Sequence, residues 1–347
     1  MTFSFGGAVD LRNGRNDAPG TFGVFRLGEN LVLSTWPEEL AREAAFSVVT
    51  LDGARVIAAQ PVDLSRHVEG SRVVENQEIF GALLTAGGTR LTVFFSEQGF
   101  TTGVGFTQQN FIRVYDMATG LPVGPSAAIA TPTFLGPSNS QSIQTENGLL
   151  AVAVGYSGLG PLADPRDLGL ILYDAQGNLL SGPQSPAPAT FASPNAGGHA
   201  IVETGGRILT IFASFDFQNS NFTHLSDITG QFYTPAGAPS GAPFTILAGV
   251  THPVGTSQQT AVRAAVLADG RVVVVTPHQD APAPSGGGTG IRLTAVILNA
   301  DGSVSVPAFG IRRSPDQQSG TARGEFFSLN ALDDGGFVIG YNIQGST

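Results

Sequence analysis

Five histidines, His67, His199, His224, His252 and His278, fall in or beside the longest connections between apolar runs. Imidazole is both a metal ligand and a general base near neutral pH, so several converging at one mouth would make a metal centre or a proton-transfer site. No His-x-His or His-Glu-x-x-His spacing supports a metal centre, and connections are where the polar residues of a strand-rich chain collect in any case. A second group is rich in amides: Glu75-Asn76-Gln77, Ser140-Gln141, Asn195 with His199, Ser257-Gln258-Gln259, and Arg323 with Glu325. Carboxamides donate and accept at once, which suits a neutral polar ligand such as a sugar, or water. Gln77, Gln141, His199, Gln259 and Arg323 are the candidate ligand-binding residues, against the plainer reading of solvated polarity.

Acid chemistry has candidates but no pair. Asp164, Asp167, Asp216, Asp227 and Asp280 lie in long connections, and a glycosidase needs two carboxylates across a bound sugar. Ser157 and Ser240 sit outside any Gly-x-Ser-x-Gly elbow, so a serine hydrolase has no support. With no cysteine, thiol nucleophiles, thiolate metal sites and disulfides are excluded. No catalytic residue is assigned, and any metal is unknown.

Charge and composition narrow the partners. The chain carries a net charge of −10, and its seventeen basic residues are all Arg, scattered except for Arg312-Arg313. Nucleic acid needs clustered cations to displace counterions, so that partner is disfavoured and none is expected, and an anionic membrane surface is disfavoured for the same reason. No apolar run approaches the roughly 20 residues of a spanning helix, so membrane insertion is not expected. Gly and Pro, 46 and 22 of 347 residues, disfavour long helices, while a hydrophobic share of 41% is ample for a packed core.

The elements that must carry these residues come from a repeat. A Gly turn followed by an apolar run recurs at Gly28, Gly88, Gly148, Gly206, Gly270 and Gly336, at intervals of 60, 60, 58, 64 and 66 residues. Between the copies runs a second phrase: an apolar strand, an Asp or Asn turn with Gly, and a short strand carrying Pro. It reads Phe46–Gly53, Ile112–Gly120, Leu170–Gly177, Gln231–Gly237 and Ala295–Gly302. Pro belongs on an edge, so the short strand is the rim of each sheet. Each repeat therefore reads as four strands, which in the fifth copy are 260–267, 271–276, 292–298 and 303–309.

Four strands per repeat predict an all-β fold, a β-propeller of about six four-stranded blades, in preference to a β-helix or stacked sandwiches. The whole chain, 1–347, reads as one propeller domain, with blades starting near 20, 75, 138, 198, 257 and 323. The sixth copy stops after two strands. The N-terminal segment 1–19 offers a ring-closing strand, Ser4–Leu11, but a third strand would still be missing, so either the sixth blade is incomplete or the chain naturally continues. The long connections, 36–43, 97–108, 155–167, 215–226 and 277–290, are expected on one face, where function would sit.

The phrases Leu267–Val275 and Leu172–Pro183 resemble propeller-type repeats of bacterial RTX, or hemolysin-type calcium-binding, secreted proteins. The resemblance implies an extracellular protein exported without an N-terminal signal peptide. It makes calcium the cofactor to consider, although no Gly-Gly-x-Gly-x-Asp nonapeptide occurs; Ser285-Gly286-Gly287-Gly288-Thr289-Gly290 lacks the Asp. The expected function is a non-catalytic binding or adhesion module for a polar ligand, a glycan or a surface protein. The alternative is a polysaccharide-active hydrolase or lyase whose site lies on the same long-loop face.

Overall fold

The computed structural model describes residues 23–27, 30–35, 44–50, 54–62, 68–69, 72–85, 87–101, 105–129, 141–155, 168–184, 196–215, 224–252, 262–279, 291–311 and 327–341. Every element among them is a strand. The first sheet is β1 (Gly23–Leu27), β2 (Asn30–Thr35), β3 (Ala45–Thr50) and β4 (Arg55–Pro61). The second adds a short leading strand: β5 (Val68–Glu69), β6 (Arg72–Leu84), β7 (Arg90–Thr101), β8 (Gly105–Asp116) and β9 (Ala127–Ile129). The third is β10 (Gln141–Gln144), β11 (Leu150–Gly155), β12 (Leu168–Tyr173) and β13 (Leu179–Gln184). Then follow β14 (Ala196–Thr204), β15 (Arg207–Phe215), β16 (His224–Tyr233) and β17 (Phe244–His252). The fifth sheet is β18 (Arg263–Val266), β19 (Val272–Gln279), β20 (Ile291–Leu298) and β21 (Val304–Ile311); β22 (Phe327–Ala331) pairs with β23 (Phe337–Tyr341).

Each sheet is an antiparallel meander in chain order, which makes the protein an all-β chain of β-propeller blades. The chain divides into two compact units, Met1–Val152 with Leu172–Gly182, and Ala153–Ile171 with Pro183–Thr347. Within the first unit, β6 lies against both β1 and β10. Within the second, β18 lies against both β14 and β22. Leading strands that pack on one another are the mark of blades rather than of the parallel coils of a β-helix. The Ser4–Leu11 closing strand falls outside the described residues.

Alternation fills the space between sheets. In the first unit Leu91, Val93 and Phe95 of β7 bury one face against Phe46, Val48 and Ile57 of the first sheet. In the second, Leu209, Ile211 and Ala213 of β15 join Val272, Val274 and Val296. Tyr115, Tyr173 and Tyr233, each at the end of a third blade strand, are fully buried, and Tyr115 donates its hydroxyl to the carbonyl of Val62 at 2.6 Å. Polar side chains tie the leading strands: the Gln144 carboxamide pairs with the Leu84 N–H and C=O at 3.1 and 3.0 Å, and Thr204 donates to the Gly270 carbonyl at 2.7 Å.

The turns do what their Asp and Gly residues dictate. Asp116, Asp174, Asp269, Asp301 and Asp334 each accept backbone N–H groups of their own turn through Oδ1, at 2.8 to 3.1 Å. At Gly177 and Gly302 the reason for glycine is double: φ is +80° and +93°, and an added Cβ would come within 2.5 Å of Ile129 and 2.8 Å of Phe232 and Phe244 respectively. Pro122 and Pro239 sit on the rim as isolated bridges to Tyr115 and Tyr233.

One expectation changes. Residues 97–108 are not a loop: β7 runs to Thr101 and β8 starts at Gly105, so three residues separate the two strands. Polar side chains made the segment look like a connection, whereas the backbone pairing that defines a strand is indifferent to them. The same holds at Pro277–Gln279, which continue β19.

Candidate functional site

The extended hairpin carries polar residues where period 2 would otherwise continue the core. Leu91, Val93 and Phe95 face the packing against the first sheet, and the next residue of that face is Glu97. The ladder sets three rungs across β6, β7 and β8: Asn76, Gln98 and Gln108; Gln77, Glu97 and Gln109; Glu78, Ser96 and Asn110. Just outside, Glu75 occupies a register shift between Val74 and Asn76.

Within this patch Gln77 donates from Nε2 to Oε1 of Glu97 at 3.0 Å. Gln77 is 1% exposed and Glu97 is 0%. A buried carboxylate is costly unless hydrogen bonds and specific neighbours compensate it, and such groups concentrate where chemistry is done. On the opposite face of the same sheet Ser96 and Asn110 are also buried, and Ser96 Oγ and Asn110 Oδ1 have no hydrogen-bond partner among the described residues. Gln109, the third member of the Glu97 rung, is exposed. The patch thus joins a buried acid to an exposed carboxamide across one strand pairing.

Of the candidate binding residues, only Gln77 lies in this patch. Gln141 is half-buried at the start of β10, and His199 is buried on β14 opposite Phe212. Gln259 and Arg323 lie outside the described residues, as do His67, Asp164, Asp167, Asp216 and Asp280. Asp227 accepts the Gly249 N–H at 2.8 Å, at a register shift between β16 and β17, which gives it a structural role. His224 and His252 are direct register partners on those two strands, and His278 stands opposite Arg292 on β19 and β20. Among the described residues no three His, Asp or Glu side chains come together as a metal site.

Glu97 was missed in sequence because it opens a stretch that reads as a loop. The signal that finds it is parity: counted by twos from Leu91, residue 97 belongs to the core face.

No protein-family model matches the chain, and no curated protein matches it in sequence. Solved structures of similar fold include a B. megaterium levansucrase, with a TM-score of 0.47 and 10% identity, covering 88% of this chain and 91% of that one. A GH43 enzyme from Xanthomonas citri aligns with a TM-score of 0.46 and 13% identity over 84% of this chain and 91% of its own. A GH43 protein from Bacillus licheniformis has a TM-score of 0.40 and 12% identity over 85% of this chain, which spans 58% of that enzyme's length.

These neighbours correct the expected kinship with RTX proteins, and the calcium expectation goes with it. The resemblance rested on Asp-containing Gly turns and short apolar strands, which any four-stranded blade requires. The carboxylates of those turns are engaged by their own backbone N–H groups.

Proposed function

We propose that the protein is a polysaccharide-active enzyme that cleaves or transfers glycosidic bonds, with Glu97 as one of its working carboxylates. The observation that carries this reading is the fully buried Glu97, held by Gln77 inside a three-strand polar patch at the end of an otherwise apolar ladder. Glycosidic cleavage needs a second carboxyl group about 5–5.5 Å away for a retaining enzyme or about 6.5–9.5 Å for an inverting one. Glu75, two residues before Gln77 on β6, is the candidate, and diagonal neighbours on paired strands stand about 7–8 Å apart. Gln77 would fix the Glu97 carboxylate, while the exposed Gln109 supplies donors and acceptors that sugar hydroxyls require. The fold neighbours include a levansucrase and GH43 enzymes, which accords with the choice of substrate class without identifying the sugar.

Reducing-sugar release from a panel of plant and bacterial polysaccharides, read for the wild type and Glu97→Gln, tests the reading. Release by the wild type, lost in a folded variant that still binds the substrate, is the expected result. Binding without release by either protein would make the patch a glycan-binding site, the reading that its many carboxamides favour. No release and no binding would refute both. No observation supports a surface-protein partner.

A further inference from the structure

The second unit carries a histidine pair that the β6–β8 patch does not explain. His224, which opens β16, and His252, which closes β17, are direct register partners. The next rung of the same face is Ser226 opposite Val250, and Val250 is buried in one cluster with Val272, Val274 and Val296 of the fifth sheet. Period 2 therefore places both histidines on the face that β17 turns to β19, one layer beyond Val250.

The facing sheet turns polar in the same direction, away from its last turn. Thr276 and Thr294, paired across β19 and β20, follow Val274 and Val296 on the face of that cluster. Thr276 is fully buried, and the Oγ1 atoms of both threonines are buried with no hydrogen-bond partner among the described residues. Unpaired buried hydroxyls are costly, so two side by side call for a polar occupant between the sheets. Directly opposite residues of an antiparallel pair have Cβ atoms about 4.5–5.5 Å apart, from which two imidazoles can reach one ion at the usual metal–nitrogen distance of about 2.0–2.1 Å. Imidazole suits zinc, nickel and copper, whereas magnesium takes oxygen ligands. His278 is the neighbouring histidine on β19, but its register partner is Arg292, whose permanent positive charge opposes a metal cation.

We propose that His224 and His252 form a two-imidazole site for a divalent transition metal of the zinc or nickel type, with water completing the coordination sphere. Such water is a polar occupant able to donate to the threonine hydroxyl oxygens. The inference does not require the Glu97 chemistry, because it concerns binding alone.

Calorimetric titration of the tag-free full chain, stripped with EDTA, with Zn²⁺, Ni²⁺ and Mg²⁺ tests it. Saturable binding of Zn²⁺ or Ni²⁺ is expected where Mg²⁺ shows none, and the bound metal should raise the melting temperature. His224→Ala and His252→Ala are each expected to lose roughly tenfold or more in affinity, with the metal-free melting temperature kept. His224→Asn and His252→Asn, closer in size to imidazole, serve if the alanine variants do not fold. His278→Ala removes a histidine from the facing sheet and should bind as the wild type does. Mg²⁺ binding as tightly as Zn²⁺, an affinity unchanged in both pair variants, an equal loss in His278→Ala, or no saturable transition-metal binding would overturn the proposal.

Discussion

The sheets β5–β9 and β18–β21 are built from one phrase and part company at one rung. Leu91 stands opposite Tyr115 in one and Val272 opposite Leu298 in the other, each third strand ending just before its turn. From those pairs β7 runs through buried Thr92, Val93, Phe94 and Phe95, and β19 through buried Val273, Val274, Val275 and Thr276. The sixth residue beyond the aligned pair is Glu97 opposite Gln109 in the first sheet and His278 opposite Arg292 in the second. Rungs near the turn are core and interchangeable between blades. Farther from the turn the ladder carries polar residues, buried in the case of Glu97, and there the repeats diverge in chemistry.

The largest effect that would break this comparison is chemical. Glu97→Gln keeps the shape and the acceptor for Gln77 but removes the negative charge. Loss of a catalytic acid costs on the order of a thousandfold or more in turnover, with a thermal midpoint held near that of the wild type. If Glu97 were a core residue of the same kind as Thr276, turnover would survive and stability alone would move. Glu75→Gln, assayed beside it, tests the second carboxylate, with Glu78→Gln on the opposite face of the sheet as the control.

Much of the framework was legible because it obeys local rules. The fifth copy, read as strands at 260–267, 271–276, 292–298 and 303–309, folds as Arg263–Val266, Val272–Gln279, Ile291–Leu298 and Val304–Ile311. Gly turns, Asp turns and apolar alternation act over a few residues and leave their mark in the sequence. The site was only half legible. Gln77 stood out as an amide at the start of a leading strand, but its partner Glu97 lies twenty residues away. Their meeting depends on the β6–β7 register, with its two register shifts. Turn chemistry also misled: being common to blades of many kinds, it suggested an RTX kinship that the fold neighbours correct.

The next effects are structural and test whether turn positions are alike across blades. Gly302→Ala places a Cβ within 2.8 Å of Phe232 and Phe244 at φ +93°, so overpacking adds to backbone strain, for about 3 kcal/mol in total. Gly270→Ala, at φ +83° with nothing within 4 Å, suffers the backbone strain alone, about 1 kcal/mol. Urea midpoints rank the two, and equal losses would show that the Gly302 turn does not pack on its neighbour. Between them falls Gln144→Leu, which leaves the Leu84 N–H and C=O without their partner and should cost about 2 kcal/mol.

The smallest effect is spread over the turns of both units and appears only in acid. Asp116, Asp269 and Asp301 have pKa values below the ordinary 3.8, mainly because the backbone N–H of Thr119, the backbone N–H of Arg271, and the side chain and N–H of Ser303 bond their ionised forms. The native pKa being the lower one, the folded state holds its protons less tightly than the unfolded chain. The contribution is complete above the unfolded value near 3.8 and disappears as the pH falls through the lowered native values. Replacing all three by Asn keeps an acceptor in each turn and removes the titration. Denaturant midpoints followed from pH 6 down to pH 2 should therefore fall less steeply for the triple variant than for the wild type. Parallel curves would mean that these carboxylates shape their turns without coupling the fold to protons.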